Sequence, residues 1–329
     1  MNTGLNKVII YVLLPVVRSM EDSWQTLIEN GSYVKVDGVD VHHYDIGTGH
    51  PLVLIHGGGL SSCAEINWGS VISRFSEEFR VIALDQPGFG FTDPRGEVDY
   101  YPAERAHFII DLLEELGLES VSLVGNSEGA TISCHIALER PDLVDNVVPV
   151  NGGMTVREFG TPAPSTTTTE PTLQSVREEA EKYKQHYFTD TSAHPFWREL
   201  TDDKIERLYE IESRNWEFNN ERDEAIRGTA HLYNKTLAYE GTPISRQPEN
   251  FEVPVLLPWS TNPFYSLDQY DDPDLDRGGH DPHKPLDDAY EFYKQLDDAQ
   301  LHVWSNSKHH VQTDHALEFV DVVSTFVRS

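Results

Sequence analysis

Residues 121–130 read VSLVGNSEGA, and this stretch decides the fold. An apolar run of strand length, residues 121–124, stops at Gly125, presents Ser127 and passes through Gly129 into a helix-like run over residues 130–140. G-x-S-x-G between a strand and a helix is the pattern of a nucleophile elbow, a sharp turn that lifts a serine above the edge of a sheet. The glycines answer a steric need, because side chains two before and two after the serine would collide with neighbouring backbone. The helix that follows points its N-terminus at the serine, so negative charge developing there meets N–H groups.

Working outward, the first 152 residues alternate strand and helix signals. Runs over residues 33–41 and 41–46 flank Asp37-Gly38 and read as an antiparallel hairpin. Strand-like PLVLIHG (51–57), a helix over 68–78, the strand RVIALD (80–85) and a helix over 102–116 lead into the elbow; an apolar β run, 144–150, follows its helix. Such alternation predicts a mostly parallel sheet covered on both faces. The rhythm breaks over residues 153–250, which open on the Thr/Pro/Ser-rich stretch 161–172 and continue with helical segments over 173–187, 201–214 and 221–235 and no strand. It resumes with VPVLLPW (253–259), a helix over 285–296, a strand over 300–304 and a last helix over 311–327. The expected organisation is a first core part (1–152), an inserted helical cap (153–250) and a second core part (251–329).

With 329 residues and 38% hydrophobic content, the chain can bury a large core. Its formal charge of −30 disfavours nucleic acid and anionic membrane surfaces as partners. Arginine (16) outnumbers lysine (9), and this acidic, lysine-poor balance fits adaptation to high salt, where cations screen self-repulsion. Cys63 and Cys134 form no disulfide framework in a chain this long, which points to a reducing, cytoplasmic compartment. The apolar run 8–17 (VIIYVLLPVV) is too short, and too interrupted by proline, to span a bilayer, so no stable membrane insertion is expected. A homo-oligomer stays open.

The motifs HGGG (56–59), NW (67–68), FRVIALDQPGFGFTD (79–93), GNSEG (125–129) and KHHVQTDHA (308–316) together resemble the meta-cleavage-product C–C hydrolases of the α/β-hydrolase superfamily. The resemblance runs over nearly the whole chain, strongest in the core and weakest over 153–250. It implies an α/β-hydrolase fold, with an eight-stranded, mostly parallel sheet, and a Ser-acid-His chain order. A serine hydroxyl needs a base, and the base an orienting acid. His302 falls in a strand and His315 in the last helix, whereas His309 and His310 lie in the loop between them. Aligned on Gln312, the family's catalytic histidine falls on His309, and His310 takes the place of a tryptophan beside the substrate. The acid of the family precedes a proline by four residues; GGHDPHKP (278–285) fits with Asp281, with Asp268, Asp271 and Asp272 as alternatives in an acidic insertion over 260–277. DDPDLDRGG (271–279) lacks the glycine and closing glutamate of a calcium loop, so no metal is expected, and the triad calls for no cofactor.

The N–H groups of Gly58 and Glu128 form the expected oxyanion hole. Asn67 and Asn126 match asparagines near the substrate in the family. Two departures concern specificity. The family's cap arginine, which pairs with substrate carboxylate, falls on Leu208 in TDDKIERLYEIES (201–213); Arg207 is adjacent and Arg214 is the substitute. Glu128 stands where the family has an apolar residue. The expectation is a serine-triad hydrolase leaning to C–C hydrolysis of ring-fission dienoates. A carboxylesterase or lactonase, and a non-catalytic receptor of the same fold, are the competing readings.

Overall fold

A computed structural model of the chain describes residues 27–59, 61–152, 169–227, 238–240, 242–260 and 286–329. Strands β1 (Gly31–Val36), β2 (Val39–Ile46), β3 (Pro51–Ile55), β4 (Arg80–Leu84), β5 (Val121–Asn126), β6 (Val144–Val150), β7 (Val255–Ser260) and β8 (Ala299–Trp304) form one eight-stranded sheet. Its order is β1-β2-β4-β3-β5-β6-β7-β8. β2 runs antiparallel to β1 and β4, and every other pairing is parallel. At the β1–β2 turn, Asp37 (φ 48) and Gly38 (φ 86) are both left-handed, the geometry whose twist suits a two-residue hairpin loop.

The helices are α1 (Ala64–Trp68), α2 (Ile72–Phe75), α3 (Pro102–Glu115), α4 (Glu128–Glu139), α5 (Leu173–Tyr187), α6 (Asp202–Arg227), α7 (Leu286–Tyr293), α8 (Val311–Asp314) and α9 (Ala316–Val327). One sheet face packs on α3, α4 and α7 through Phe108, Ile109, Ile132, Ile136 and Phe292. The other packs on α1, α2 and α9 through Trp68, Phe75, Phe319 and Val323. With both faces covered, β5 is buried at every position, and its apolar residues serve both cores, Val121 and Leu123 on one face and Val124 on the other. A third apolar cluster joins α5 and α6 (Val176, Ala180, Leu208, Ile211) to Ile66 and Phe91. These two helices therefore sit over the loops that leave the carboxyl ends of the strands.

Several expected elements differ. The helix expected over 68–78 is only the single turn α2 (Ile72–Phe75); α1 lies ahead of it and ends at Trp68, and between the two the Ser70 hydroxyl donates to the Gln312 carbonyl (2.8 Å). The segments 201–214 and 221–235 are joined in the single helix α6 as far as residue 227. The polar stretch between them does not break it: Asn215 and Asn219, one turn apart, donate to the carbonyls of Gly90 (2.9 Å) and Gly88 (3.4 Å). Within 153–250, expected to hold no strand, residues 238–239 and 242–243 form a two-residue antiparallel ladder. The last helix is split into α8 and α9 at His315 (φ −130, ψ 44). The apolar run 8–17, most of the Thr/Pro/Ser-rich stretch and all of the insertion 260–277 but Ser260, the last residue of β7, lie outside the described residues. Among the described residues no helix is long and apolar enough to cross a membrane.

Candidate active site

Ser127 sits between β5 and α4 with φ 57 and ψ −112, a backbone conformation that costs on the order of 1–3 kcal/mol for a residue with a side chain. The surroundings hold it there. Its N–H donates to the Val150 carbonyl (3.0 Å), and its own carbonyl accepts from the N–H of Ala130 (3.1 Å). A Cβ on Gly129 would lie 2.2 Å from the Ile55 carbonyl oxygen, and one on Gly125 would lie 2.1 Å from the Gly129 oxygen. Strand β3, the elbow and α4 therefore meet backbone to backbone, which requires glycine at both positions. The turn after β3 closes on the serine, since a Cβ on Gly57 would lie 3.0 Å from the Ser127 Cβ.

Glu128 opens α4, so its N–H has no acceptor within the helix. Its side chain belongs to a network that the sequence did not reveal. Buried His56 uses Nδ1 toward the Gly57 carbonyl (2.7 Å) and accepts the Gln86 N–H on Nε2 (3.0 Å). Burial depresses its pKa to about 4, so the ring is neutral and Nδ1 is the donor. Gln86 Oε1 accepts from Arg105 Nη1 (2.7 Å), and Arg105 Nη2 pairs with Glu128 at 2.9 Å. Arg222 of α6 makes the second ion pair to Glu128, and both guanidiniums lie 5.3 Å from the centre of the Phe89 ring. Burial alone would raise the Glu128 carboxyl; the two arginines outweigh it and bring the pKa down to about 2. The acidic residue that looked out of place beside Ser127 is thus one anion between two cations. Arg105 and Arg222 are far apart in sequence and carry no shared local pattern, so only folding reveals the pairing.

His309 and His310 follow β8. The His310 ring is engaged at both nitrogens: Nε2 with the Tyr183 hydroxyl (3.0 Å) and Nδ1 with the Gln312 carboxamide (3.1 Å). It stacks on Phe188 with centroids 4.8 Å apart, and burial pushes its pKa down to about 3. A ring so occupied ties α5 to the histidine loop. The His309 ring packs against Tyr187, and its carbonyl accepts from the Asn151 carboxamide (2.9 Å). Asn151 was not singled out in the sequence.

The expected substrate-facing amides bond to one another. Asn67 Nδ2 donates to Asn126 Oδ1 (3.2 Å), Asn126 Nδ2 to the Val150 carbonyl (3.4 Å), and Gln312 Nε2 reaches Asn67 Oδ1 (3.5 Å). The two arginines expected to meet a substrate carboxylate are committed to protein carboxylates. Arg207 pairs with buried Glu65 (2.9 Å), which also accepts from the Tyr44 hydroxyl (2.8 Å), and Arg214 pairs with exposed Asp93 (2.6 Å). Leu208 is fully buried in the α5–α6 cluster. Beside the turn after β3 is a small, water-sized opening lined by Gly59, Ser61, Ser62, Phe89, Glu212 and Asn219. Burial raises the pKa of Glu212, which accepts from the Ser61 hydroxyl at 3.0 Å. Asp281 and the alternatives Asp268, Asp271 and Asp272 lie outside the described residues. Among the described residues there is no cluster of three or more side chains able to hold a metal ion.

Residues 50–316 match the family model described as the alpha/beta hydrolase fold. The 2-hydroxy-6-oxo-2,4-heptadienoate hydrolase of Pseudomonas putida is 37% identical over 120 residues, which cover 36% of this chain and 44% of that protein. The chain thus spans less than half the length of this relative in the match. The 2-hydroxy-6-oxo-6-phenylhexa-2,4-dienoate hydrolase of Comamonas testosteroni is 26% identical over 292 residues, 88% of this chain and 91% of its own. Among solved structures, a meta-cleavage product hydrolase from Pseudomonas fluorescens IP01 superposes with a TM-score of 0.65 at 23% identity, covering 92% of this chain and 98% of that one. At that identity the likeness speaks for the fold.

Proposed function

This chain belongs to the α/β-hydrolase family, and from that premise we propose that it is a cofactor-independent serine hydrolase of small carbonyl substrates, acting on the C–C bond of ring-fission dienoates. The observation that carries the reading is Ser127, held at φ 57 on a strand-to-helix turn against the glycine turn that follows β3. His309 acts as base on Ser127, or on a water beside it, and Asp281 orients the imidazole. The attacked carbonyl oxygen becomes negative and is held by the N–H groups of Gly58 and Glu128. On collapse, the carbon leaving group takes the proton from the imidazolium; where Ser127 was the nucleophile, a water deprotonated by His309 then hydrolyses the acyl-serine, releasing the acid and returning the proton to Ser127. Residues 153–250 act as a helical cap over this site, with α5 and α6 as its described part.

The relatives named for dienoates support a C–C substrate. One observation favours the second reading, a carboxylesterase or lactonase with a neutral acyl group: Arg207 and Arg214 are both already paired with protein carboxylates. A paired screen of short-chain esters and ring-fission dienoates, read by absorbance, separates the two. Dienoate turnover supports C–C hydrolysis, and inert dienoates beside active esters remove it. The net charge of −30 supports a working environment of high salt, in which case the unfolding midpoint rises between dilute and molar KCl; an unchanged midpoint excludes that reading.

A further inference from the structure

We propose that Asn151 is a positioning residue that sets the His309 loop against the nucleophile, an inference that rests on the reading of Ser127 and His309 as the reacting pair. Asn151 follows β6 directly and is fully buried. Its φ of 44 lies in the left-handed region, which asparagine and glycine enter at low cost. From that position its polar groups reach two separate chain segments. The backbone N–H donates to the Pro258 carbonyl of β7 (3.1 Å). The side-chain Oδ1 accepts from the Ser260 N–H (2.9 Å) and hydroxyl (3.3 Å), at the point where the chain leaves β7 toward residue 281. The side-chain Nδ2 donates to the His309 carbonyl (2.9 Å).

The neighbours of Asn151 face the nucleophile. Val150 accepts the Ser127 N–H, and a Cβ on Gly152 would lie 2.2 Å from the Ser127 carbonyl oxygen. Residues 150–152 therefore touch Ser127 on one side and, through one carboxamide, bond the end of β7 and the histidine loop on the other. Strand pairing alone does not supply this registration. β8 pairs with β7 and stops at Trp304, well before His309. Asp314 also braces the loop, accepting from the Lys308 N–H (2.8 Å), but from α8 and so without reference to the serine. A buried carboxamide is costly unless its polar atoms are bonded, and both Oδ1 and Nδ2 are. An apolar residue could fill the space, but it could not hold two loops to the end of β6.

Two variants separate positioning from bulk structure. Asn151→Gly keeps the left-handed backbone and removes the carboxamide; alanine is unsuitable because φ 44 would strain it. Asn151→Asp keeps the acceptor toward Ser260 and sets an oxygen against the His309 carbonyl, so it breaks the histidine arm alone. The assay is hydrolysis of 4-nitrophenyl acetate, with kcat counted per folded molecule from circular dichroism. Misplacing a reacting group by about 1 Å costs up to roughly 100-fold, so both variants should lose about 10- to 100-fold in kcat with KM within about threefold of wild type. A loss of less than about tenfold in kcat in the folded variants overturns the proposal. If only the Asp variant folds, its kcat decides; if neither folds, Asn151 is a folding determinant and the proposal is likewise overturned. Wild-type turnover that survives Ser127→Ala sinks the reading of the reacting pair instead.

Discussion

Replacing Glu128 by Gln removes the single anion between Arg105 and Arg222. The side chains of the two arginines are 0% and 9% exposed, so the change takes away the carboxylate that separates two buried cations. Removing one partner of a buried pair costs about 3–5 kcal/mol. The Glu128 side chain is 18% exposed, so the lower end of that range, about 3 kcal/mol, applies. Titration leads to the same size. The arginines outweigh burial and carry the carboxyl from 4.5 to about 2. At about 1.36 kcal/mol per pKa unit, that difference is roughly 3 kcal/mol. The folded pKa is the lower one, so this stability is fully present above about pH 4.5 and is lost as pH falls through about 2. Urea unfolding of wild type and Glu128→Gln should differ by about 3 kcal/mol at pH 7 and by less than about half of that at pH 3. A double-mutant cycle with Arg222→Met should give a coupling of about 1 kcal/mol or more. A gap at pH 7 below about 0.5 kcal/mol, the size of an ordinary surface change, would refute the ion-pair account. So would a gap that does not move with pH.

His310→Phe keeps the stack on Phe188 but leaves the Tyr183 hydroxyl and the Gln312 carboxamide without their ring partner; the expected cost is about 2–3 kcal/mol in urea unfolding, with kcat per folded molecule within about threefold. A loss of turnover as deep as that of His309→Ala would return His310 to the reacting pair. Arg207→Met strips the cation from buried Glu65 and should cost about 3 kcal/mol of stability. KM for an anionic substrate should be unchanged by that substitution, and a rise in KM of about tenfold, worth roughly 1.4 kcal/mol of binding, would put Arg207 at the substrate after all.

The β/α alternation and the elbow were legible because each rests on local chemistry. A continuous apolar run marks a strand buried on both faces, as in β3, and G-x-S-x-G marks a turn where side chains collide. The short extent of α2 was not legible, because the turn before it depends on Ser70 meeting a carbonyl contributed by Gln312, far along the chain. The continuity of α6 was hidden for a similar reason: Asn215 and Asn219 look like helix breakers until Gly90 and Gly88 supply acceptors. At the site, the serine and the histidine pair carried sequence signals, but the choice of role for His310 needed its partners Tyr183 and Gln312. Arg105, Arg222 and Asn151 had none, since what each does depends on partners at long sequence separation. The odd residue in the elbow, Glu128, was visible as a departure, and its explanation came only from the fold.

The most direct test of the central claim is the rate of chromophore loss from a ring-fission dienoate with wild-type protein and with Ser127→Ala. The account predicts turnover by the wild type and a fall of about 1,000-fold or more on removing the serine hydroxyl. A dienoate left untouched by the wild type, or consumed equally by both proteins, would contradict it.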